Sequence, residues 1–492
     1  MDPITLFKSI YSTLLLIFSI VIIFGLIALR QTNLSDSVHP AFAYFLFIVS
    51  ISWLTMVEGG QASLVGLLPV NKELYKDSHA KAYKSTVITN EGDNLDRYLL
   101  GRQFMVVLVV FCVNMSAGPI GGATLWGFPT WLTDIFFNGG LAMTLVTCMI
   151  GQLNSQVNAS HCMLDYIDNY FALFTLWVAM AIEFSGLLHA SYVIQLTVGA
   201  LAGQPIESKE GPRSGAAAAF FWFRCLLSLT ILSFCIAVTM VALFDGKTTM
   251  WESVPPGAAV VVFFVLMCIV GMLEGMQIAF FAVAKLRESE RGSNIFAKKT
   301  CDLLYSGDGH NLPGFMIGRQ LCVVSCMLFV ARVTSVDMKG EANLFGVPDG
   351  VQGLFNTGLL GAVMLTILGS ISWQLVASAF PIAFLSNPLT YVLLRLCLLL
   401  EGTGICQGAW VLAAIHKKIA NFQRDEVYIG TAEERAKQEM GDDSALPHVG
   451  TGHLVKLPGF SENAPKSLKD LMRKDDNVKN YLNDVAENMD TA

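Results

Sequence analysis

Glu58-Gly59-Gly60-Gln61 and Glu274-Gly275-Met276-Gln277 each set a carboxylic acid and a carboxamide three residues apart inside an otherwise apolar stretch. That spacing puts both side chains on one face of a helix. Glycine beside the acid removes side-chain bulk, so another group can come close. One polar loop later, each tetrad is followed by the same triplet, Gly101-Arg102-Gln103 in one case and Gly318-Arg319-Gln320 in the other. The tetrads lie 216 residues apart and the triplets 217. Further matches stand 218 apart: Phe137-Asn138-Gly139-Gly140-Leu141 with Phe355-Asn356-Thr357-Gly358-Leu359, Gly151 with Gly369, and Glu183 with Glu401. An offset that drifts by two is what small insertions leave behind in an internal duplication.

Composition sets the class. The chain is 53% apolar and 14% charged, against about 25% charged in soluble domains, and its mean hydropathy is +0.54. Stretches long enough to cross a bilayer recur over the first 415 residues. The net charge of −7 resides in loops and tail, and no basic patch with interleaved aromatics points to nucleic acid. The eleven cysteines follow no metal-ligand spacing. Cys322 and Cys326 share an apolar helix, and small apolar packing residues are the simplest reading of the set. No nucleophile–base spacing suggests an enzyme.

Hydropathy predicts an all-α polytopic membrane protein of ten transmembrane helices, arranged as two inverted five-helix repeats with a soluble C-terminal tail. Residues 1–201 form the first repeat, with spans at about 10–29, 40–68, 101–118, 134–157 and 168–200. The run 10–29 ends without a small-residue cleavage site and reads as a span rather than a signal peptide. Residues 202–216, with Gly203, Pro205, Gly211 and Pro212, make the seam. Residues 217–415 form the second repeat, with spans at about 217–244, 256–285, 316–334, 353–381 and 388–415. Inversion is expected because five crossings return the chain to the opposite face. It would place the two basic loops, Lys72 to Arg97 and Lys285 to Lys299, on opposite sides and cancel the positive-inside count. The tail 416–492 opens with His416-Lys417-Lys418, which puts both termini in the cytoplasm and Asn33-Leu34-Ser35 outside as a sequon. Within the tail, 467–489 reads as a short amphipathic or coiled-coil helix behind the capping box Ser467-Leu468-Lys469-Asp470. Either a lone surface helix or a contact for a homo-oligomer or cytoplasmic partner fits it.

An ionised glutamate inside a membrane helix costs at least a few kcal/mol without a partner. Arg102 and Arg319 are the expected partners of Glu58 and Glu274. Gln61, Gln103, Gln277 and Gln320 add amides that both donate and accept. One such pair could simply tie two helices together; two glycine-flanked copies favour a polar site. Further polar residues interrupt the fourth and ninth spans: Gln152, Asn154, Gln156 and Asn158, then Ser370, Ser372, Gln374 and Ser378. Such interruptions suit a small cation, and Asn154, Ser155, Ser370 and Ser372 are candidate Na⁺ ligands; hydrogen bonds between neighbouring helices explain them equally well. Glu183 and Glu401 form another matched pair. His189 has no histidine counterpart and reads first as a packed residue, second as a proton relay.

The paired Glu-Gly-x-Gln and Gly-Arg-Gln motifs, in this order and spacing, resemble those of the silicon transporters of diatoms. The resemblance covers the whole membrane region. It implies a plasma-membrane symporter that takes up orthosilicic acid with Na⁺ and needs no other cofactor. It also implies that Glu58, Gly59, Gln61, Gly101, Arg102, Gln103, Glu274, Gly275, Gln277, Gly318, Arg319 and Gln320 line the substrate path. A passive channel for a small neutral polyhydroxy solute, or another ion-coupled symporter, would suit the same residues.

Overall fold

A chain this apolar has few ways to satisfy its backbone, because hydrocarbon offers no partner to an open N–H or C=O. Among the residues that the computed structural model describes (3–68, 70–203, 214–250, 253–284, 294–305, 311–338 and 342–430), every regular element is a helix. The first half holds α1 (Pro3–Ala28), α2 (Pro40–Leu67), α3 (Ala80–Asn90), α4 (Asn94–Ala117), α5 (Thr130–Asn138), α6 (Leu141–His161), α7 (Met163–Ile167), α8 (Tyr170–Phe184) and α9 (Ala190–Ala202). The second holds α10 (Gly215–Phe244), α11 (Pro256–Ala284), α12 (Ile295–Leu304), α13 (Asn311–Thr334), α14 (Asp349–Asn356), α15 (Leu359–Ala379), α16 (Pro381–Leu385), α17 (Pro388–Gly402) and α18 (Gly408–Ala420). A short α19 (Glu426–Ile429) comes last. Among the described residues, seven helices are long and apolar enough to cross a bilayer: α1, α2, α4, α10, α11, α13 and α15. The pair α5 and α6, bent by 46°, makes an eighth when taken as one span. The protein is thus an all-helical, multi-pass membrane protein.

The stretches 168–200 and 388–415, each expected as one span, are each two helices. The chain breaks at Gly186 and Gly404, both at positive φ (+85° and +72°), where a side chain would be strained. A serine from the other half holds each break. Ser12 Oγ on α1 donates to the Ile405 carbonyl (2.5 Å) and accepts from the Gly408 N–H (2.9 Å). Ser228 Oγ on α10 donates to the Leu187 carbonyl (2.6 Å) and accepts from the Ala190 N–H (2.9 Å).

Helix directions can be read from paired contacts. Arg319 on α13 and Gln374 on α15 meet on one carboxylate, Glu274, and the other end of that pair is closed by Gly361 against Thr334. So α13 and α15 are antiparallel. Across the halves, Gln103 on α4 bonds to Ser370, Phe111 packs at Gly358, and one cavity is lined by both 93–100 and 371–378. So α4 is also antiparallel to α15, and α4 and α13 run the same way. This corrects the expectation of inversion. The cause lies in the fifth helix. Gly314 and Gly318 of α13 pack at Glu401 and Cys397 of α17, which makes α17 antiparallel to α13 and therefore parallel to α15, the long helix before it. Hydropathy counts such a helix as a crossing, although at fifteen residues it spans only about 22 Å.

Close packing holds these elements. A Cβ on Gly101 would overlap the Ala179 carbonyl of α8, and one on Gly318 would overlap the Cys397 carbonyl of α17. Residues 416–420, expected in the tail, continue α18. Beyond them the chain folds back on the end of α6. The Asp425 carboxylate accepts from the Met163 and Leu164 N–H groups (2.8 and 2.9 Å), Gln423 N–H donates to Asp165 (2.5 Å), and the Tyr428 hydroxyl bonds to Asp165 (3.2 Å). The helix expected at 467–489 lies outside the described residues.

This packing makes two demands that can be measured. Gly101→Ala forces α4 from α8 at a cost of about 1–3 kcal/mol and lowers the melting temperature in detergent; an unchanged melting temperature would refute the close approach. The second concerns Asp425. Burial pushes its carboxyl up to about 6, against the pull of its two N–H donors. The docked form therefore holds the proton more tightly than a free carboxylate does, and docking strengthens as pH falls through that value. The Asp425 amide, bonded to the His161 carbonyl at 3.1 Å, should be better protected from hydrogen exchange at about pH 5.5 than at about pH 7.5, after correction for intrinsic rates.

Candidate functional site

The two tetrads meet. A cavity of about 70 Å³ lies between the halves, lined by Glu58, Gln61, Arg102 and Gln103 from one and Glu274, Gln277, Arg319 and Gln320 from the other. Gln152, Gln156 and Gln374 complete its polar wall, and Leu99, Val106, Ile278, Val323 and Met327 its apolar one.

Each ion pair lies within its own half. Arg102 Nη2 stands 2.6 Å from Glu58 Oε2, and Arg319 Nη1 stands 3.3 Å from Glu274 Oε1. All four residues are at most 6% exposed. Arginine suits such burial because its charge is spread over a planar fork of five donors. Each arginine also donates to the glutamine that comes next in sequence, Gln103 at 2.7 Å and Gln320 at 2.6 Å, so both Oε1 atoms are taken. The acids receive more donors from the interrupted helices: Gln152 (3.2 Å) and Gln156 (3.1 Å) to Glu58, and Gln374 (2.9 Å) to Glu274.

Those three glutamines are the site residues that sequence reasoning placed elsewhere, in the ion-binding layer of the interrupted helices. The interruption is a widening rather than a break. Thr147–Leu153 and Leu365–Ile371, 218 residues apart, are π-helical turns inside α6 and α15. The extra residue per turn re-aims the side chains of the next turn, a common device at functional sites. Gly151 lets α6 close on Leu54 of α2 at this level. Gly59 lies against the Tyr166 ring and Gly275 against the Phe384 ring, so neither position admits a Cβ without displacing an aromatic.

The halves are not identical at the centre. Where the first has Gln152, the second has Ser370, and Ser370 Oγ accepts from Gln103 Nε2 across the interface at 2.7 Å. The matching donor, Gln320 Nε2, reaches no described residue, and buried Gln152 Oε1 has no partner among the described residues. Gln61 and Gln277 line the cavity with side-chain amides that bond to no described residue. Of the candidate cation ligands, Ser370 joins this site. Ser155 donates to the Gln152 carbonyl (2.6 Å) and Ser372 to the Ile367 carbonyl (2.5 Å). Asn154 Oδ1 accepts from Asn158 (3.3 Å) and lies 3.3 Å from His416 Nδ1. The four do not converge on one point. Glu183 accepts from the Tyr192 hydroxyl (3.1 Å) and stands 3.7 Å from His189, which is packed against Tyr192 and Phe221. These two lie at the α8–α9 break and do not line the cavity.

A buried, charge-paired, amide-lined cavity at the meeting point of two membrane-spanning halves fits a transporter of small polar solutes. The family model for silicon transporters matches residues 1–491. The chain belongs to that family, and membership carries the transport of silicic acid. Neither the curated proteins nor the solved structures contain a match.

The ion pairs make a testable demand. Arg102→Gln leaves Glu58 buried without its counter-charge, at a cost of about 3–5 kcal/mol. Glu58→Gln added to it removes the stranded charge and should recover much of the loss in a detergent melt. A double variant no more stable than Arg102→Gln alone would show that the pair is not coupled.

Proposed function

We propose that the chain takes up orthosilicic acid across the plasma membrane, coupled to Na⁺, by exposing the central cavity alternately to the two sides. The observation that carries this reading is the charge balance of the cavity. Two carboxylates face two guanidiniums, so the site is neutral overall, while the amides of Gln61 and Gln277 and the Gln320 nitrogen are left to meet a solute. An anion would call for unpaired cations or helix N-termini. Orthosilicic acid is small, tetrahedral and uncharged at neutral pH, and each of its hydroxyls donates and accepts. The cavity of about 70 Å³ is on the scale of one small solute.

A neutral solute gains nothing from the membrane potential, so uphill uptake needs a coupled ion. We assign that role to Na⁺, with oxygens of α6 and α15 as its ligands. Of Asn154, Ser155, Ser370 and Ser372, Ser370 meets the Gln103 side chain and Ser155 the Gln152 carbonyl, while Asn154 and Ser372 bond elsewhere, so a site built from all four needs another arrangement of these helices. Alternating access supplies one.

Parallel halves change the reading of sidedness. Four long crossings per half, with α8–α9 and α17–α18 as partial ones, return each half to the face where it began. The segments that hold Lys72, Lys76, Lys81 and Lys84, then Lys298 and Lys299, and finally Lys417, Lys418 and Arg424 then share one face with both termini. The other face keeps Arg30, Lys247 and Arg332 among the described residues. The positive-inside rule puts the first face in the cytoplasm.

Uptake of silicic acid into sealed liposomes, with an inward Na⁺ gradient imposed or omitted, tests the whole reading. Accumulation that requires the gradient is expected, and Gln61→Leu with Gln277→Leu should abolish it while leaving the melting temperature in place. Uptake that merely equilibrates would make the protein a passive facilitator. Full uptake by the double variant would remove the two amides from the substrate path.

A further inference from the structure

A second cavity, of about 600 Å³, lies between the start of α4, α9, the start of α10 and the end of α15. It shares Leu99, Ile278 and Gln374 with the central cavity, so these three side chains form the partition between the two spaces. Leu99 and Ile278 are the apolar part. Gln374 is the polar part, and its amide also holds Glu274. On the far side of the partition, Gln195 and Ser378 place an amide and a hydroxyl in the lining, and Asp93, Asp96 and Arg97 stand at the beginning of α4, toward the face at which α1 begins. A space of mixed polar and apolar lining that meets the central cavity through two aliphatic side chains and one amide is the form expected of a vestibule closed by a thin gate.

The symmetry-related junction lacks the same freedom. The counterparts of α9 and α15 are α18 and α6, and they are clasped. Asn158 Nδ2 donates to the Ala413 carbonyl (3.2 Å), and His416 Nδ1 lies 3.3 Å from Asn154 Oδ1. The returning chain at Gln423 and Asp425 then ties α18 to the end of α6 and to α7. The positions that correspond to Asn158, Asn154 and His416, 218 residues away, are Val376, Ser372 and Val198. They cannot build that clasp.

We propose that the central site communicates with the cytoplasmic face through this one vestibule, at the α9–α15 junction, and that Leu99 and Ile278 are its gate. The route rests on the transport reading above for its solute, but not for its geometry. Residue Ser378 lines the vestibule and not the central cavity, and Ser160 is its counterpart at the clasped α6–α18 junction. Ser378→Trp should lower silicic acid uptake by about tenfold or more while equilibrium binding of silicic acid to the purified protein stays unchanged. Ser160→Trp should leave uptake within about twofold of the parent. Full uptake by Ser378→Trp, or equal damage by both, would overturn the single route. A second measurement needs no transport: Ser378→Cys in vesicles of known orientation, treated with a membrane-impermeant thiol reagent and read as added mass over the parent. Labelling from the face of the termini supports the vestibule. Labelling only from the opposite face, or none, overturns it. Should the parent fail to take up silicic acid, the transport reading falls, and the labelling result still decides where the vestibule opens.

Discussion

Two carboxylates buried at the centre of a membrane protein constrain everything around them. An isolated charge there is costly enough to be driven to a neutral form or out to the interface. Here each acid is fixed by a guanidinium from the next long helix and by amides from the helix after that. The site therefore holds three helices per half at one level. Packing alone would leave more latitude, because hydrocarbon-facing surfaces gain little from choosing one neighbour over another. The tight glycine contacts at Gly101 and Gly318 are the complement of this constraint. They let α8 and α17 approach the helices that carry the arginines, and so exclude lipid from the buried pairs.

Much of this was legible because ionisable residues stand out in apolar sequence. Glu58, Arg102, Glu274 and Arg319 could be named as partners, and their recurrence exposed the duplication. The geometry adds that the pairs form within each half. Gln152, Gln156 and Gln374 were visible as polar interruptions, but not as ligands of the acids. Their aim depends on a π-turn, and the residue pattern of α6 does not reveal where one extra residue enters a turn. The direction of the second half was misread for a similar reason. Hydropathy registers that α8 and α17 are apolar. Whether an apolar helix crosses or only enters is fixed by the helix it packs on, and the antiparallel contacts of α13 with α17 are long-range facts.

The two halves match where charge must be buried and differ within the π-turns beside the cavity. Both halves retain the acid, the arginine and the glutamine next to it, since losing any one would strand a partner. Within the π-turn they diverge into Gln152 and Ser370. The consequence is local and definite. Gln103 spends its nitrogen on the Ser370 hydroxyl and is closed off, whereas the Gln320 nitrogen and the Gln152 amide oxygen are not paired with described residues. Glu58 collects three side-chain donors and Glu274 two.

That asymmetry bears on how a tetrahedral solute could be held. A strictly two-fold cavity would present its donors and acceptors in identical pairs, and a solute lying on the axis would bind equally well in two orientations. Substituting serine for glutamine on one side removes that degeneracy. One wall is then internally satisfied and acts as a backstop. The other keeps an oxygen at Gln152 and an N–H at Gln320 that bond to no described residue, which is the donor-plus-acceptor pattern that a hydroxyl needs. Buried polar atoms without partners are costly to keep. On the proposed reading, such a site beside four mutually paired charges would be completed by a solute that supplies both halves of a hydrogen bond at once, and an uncharged polyhydroxy molecule would do so without disturbing the ion pairs that hold the helices together.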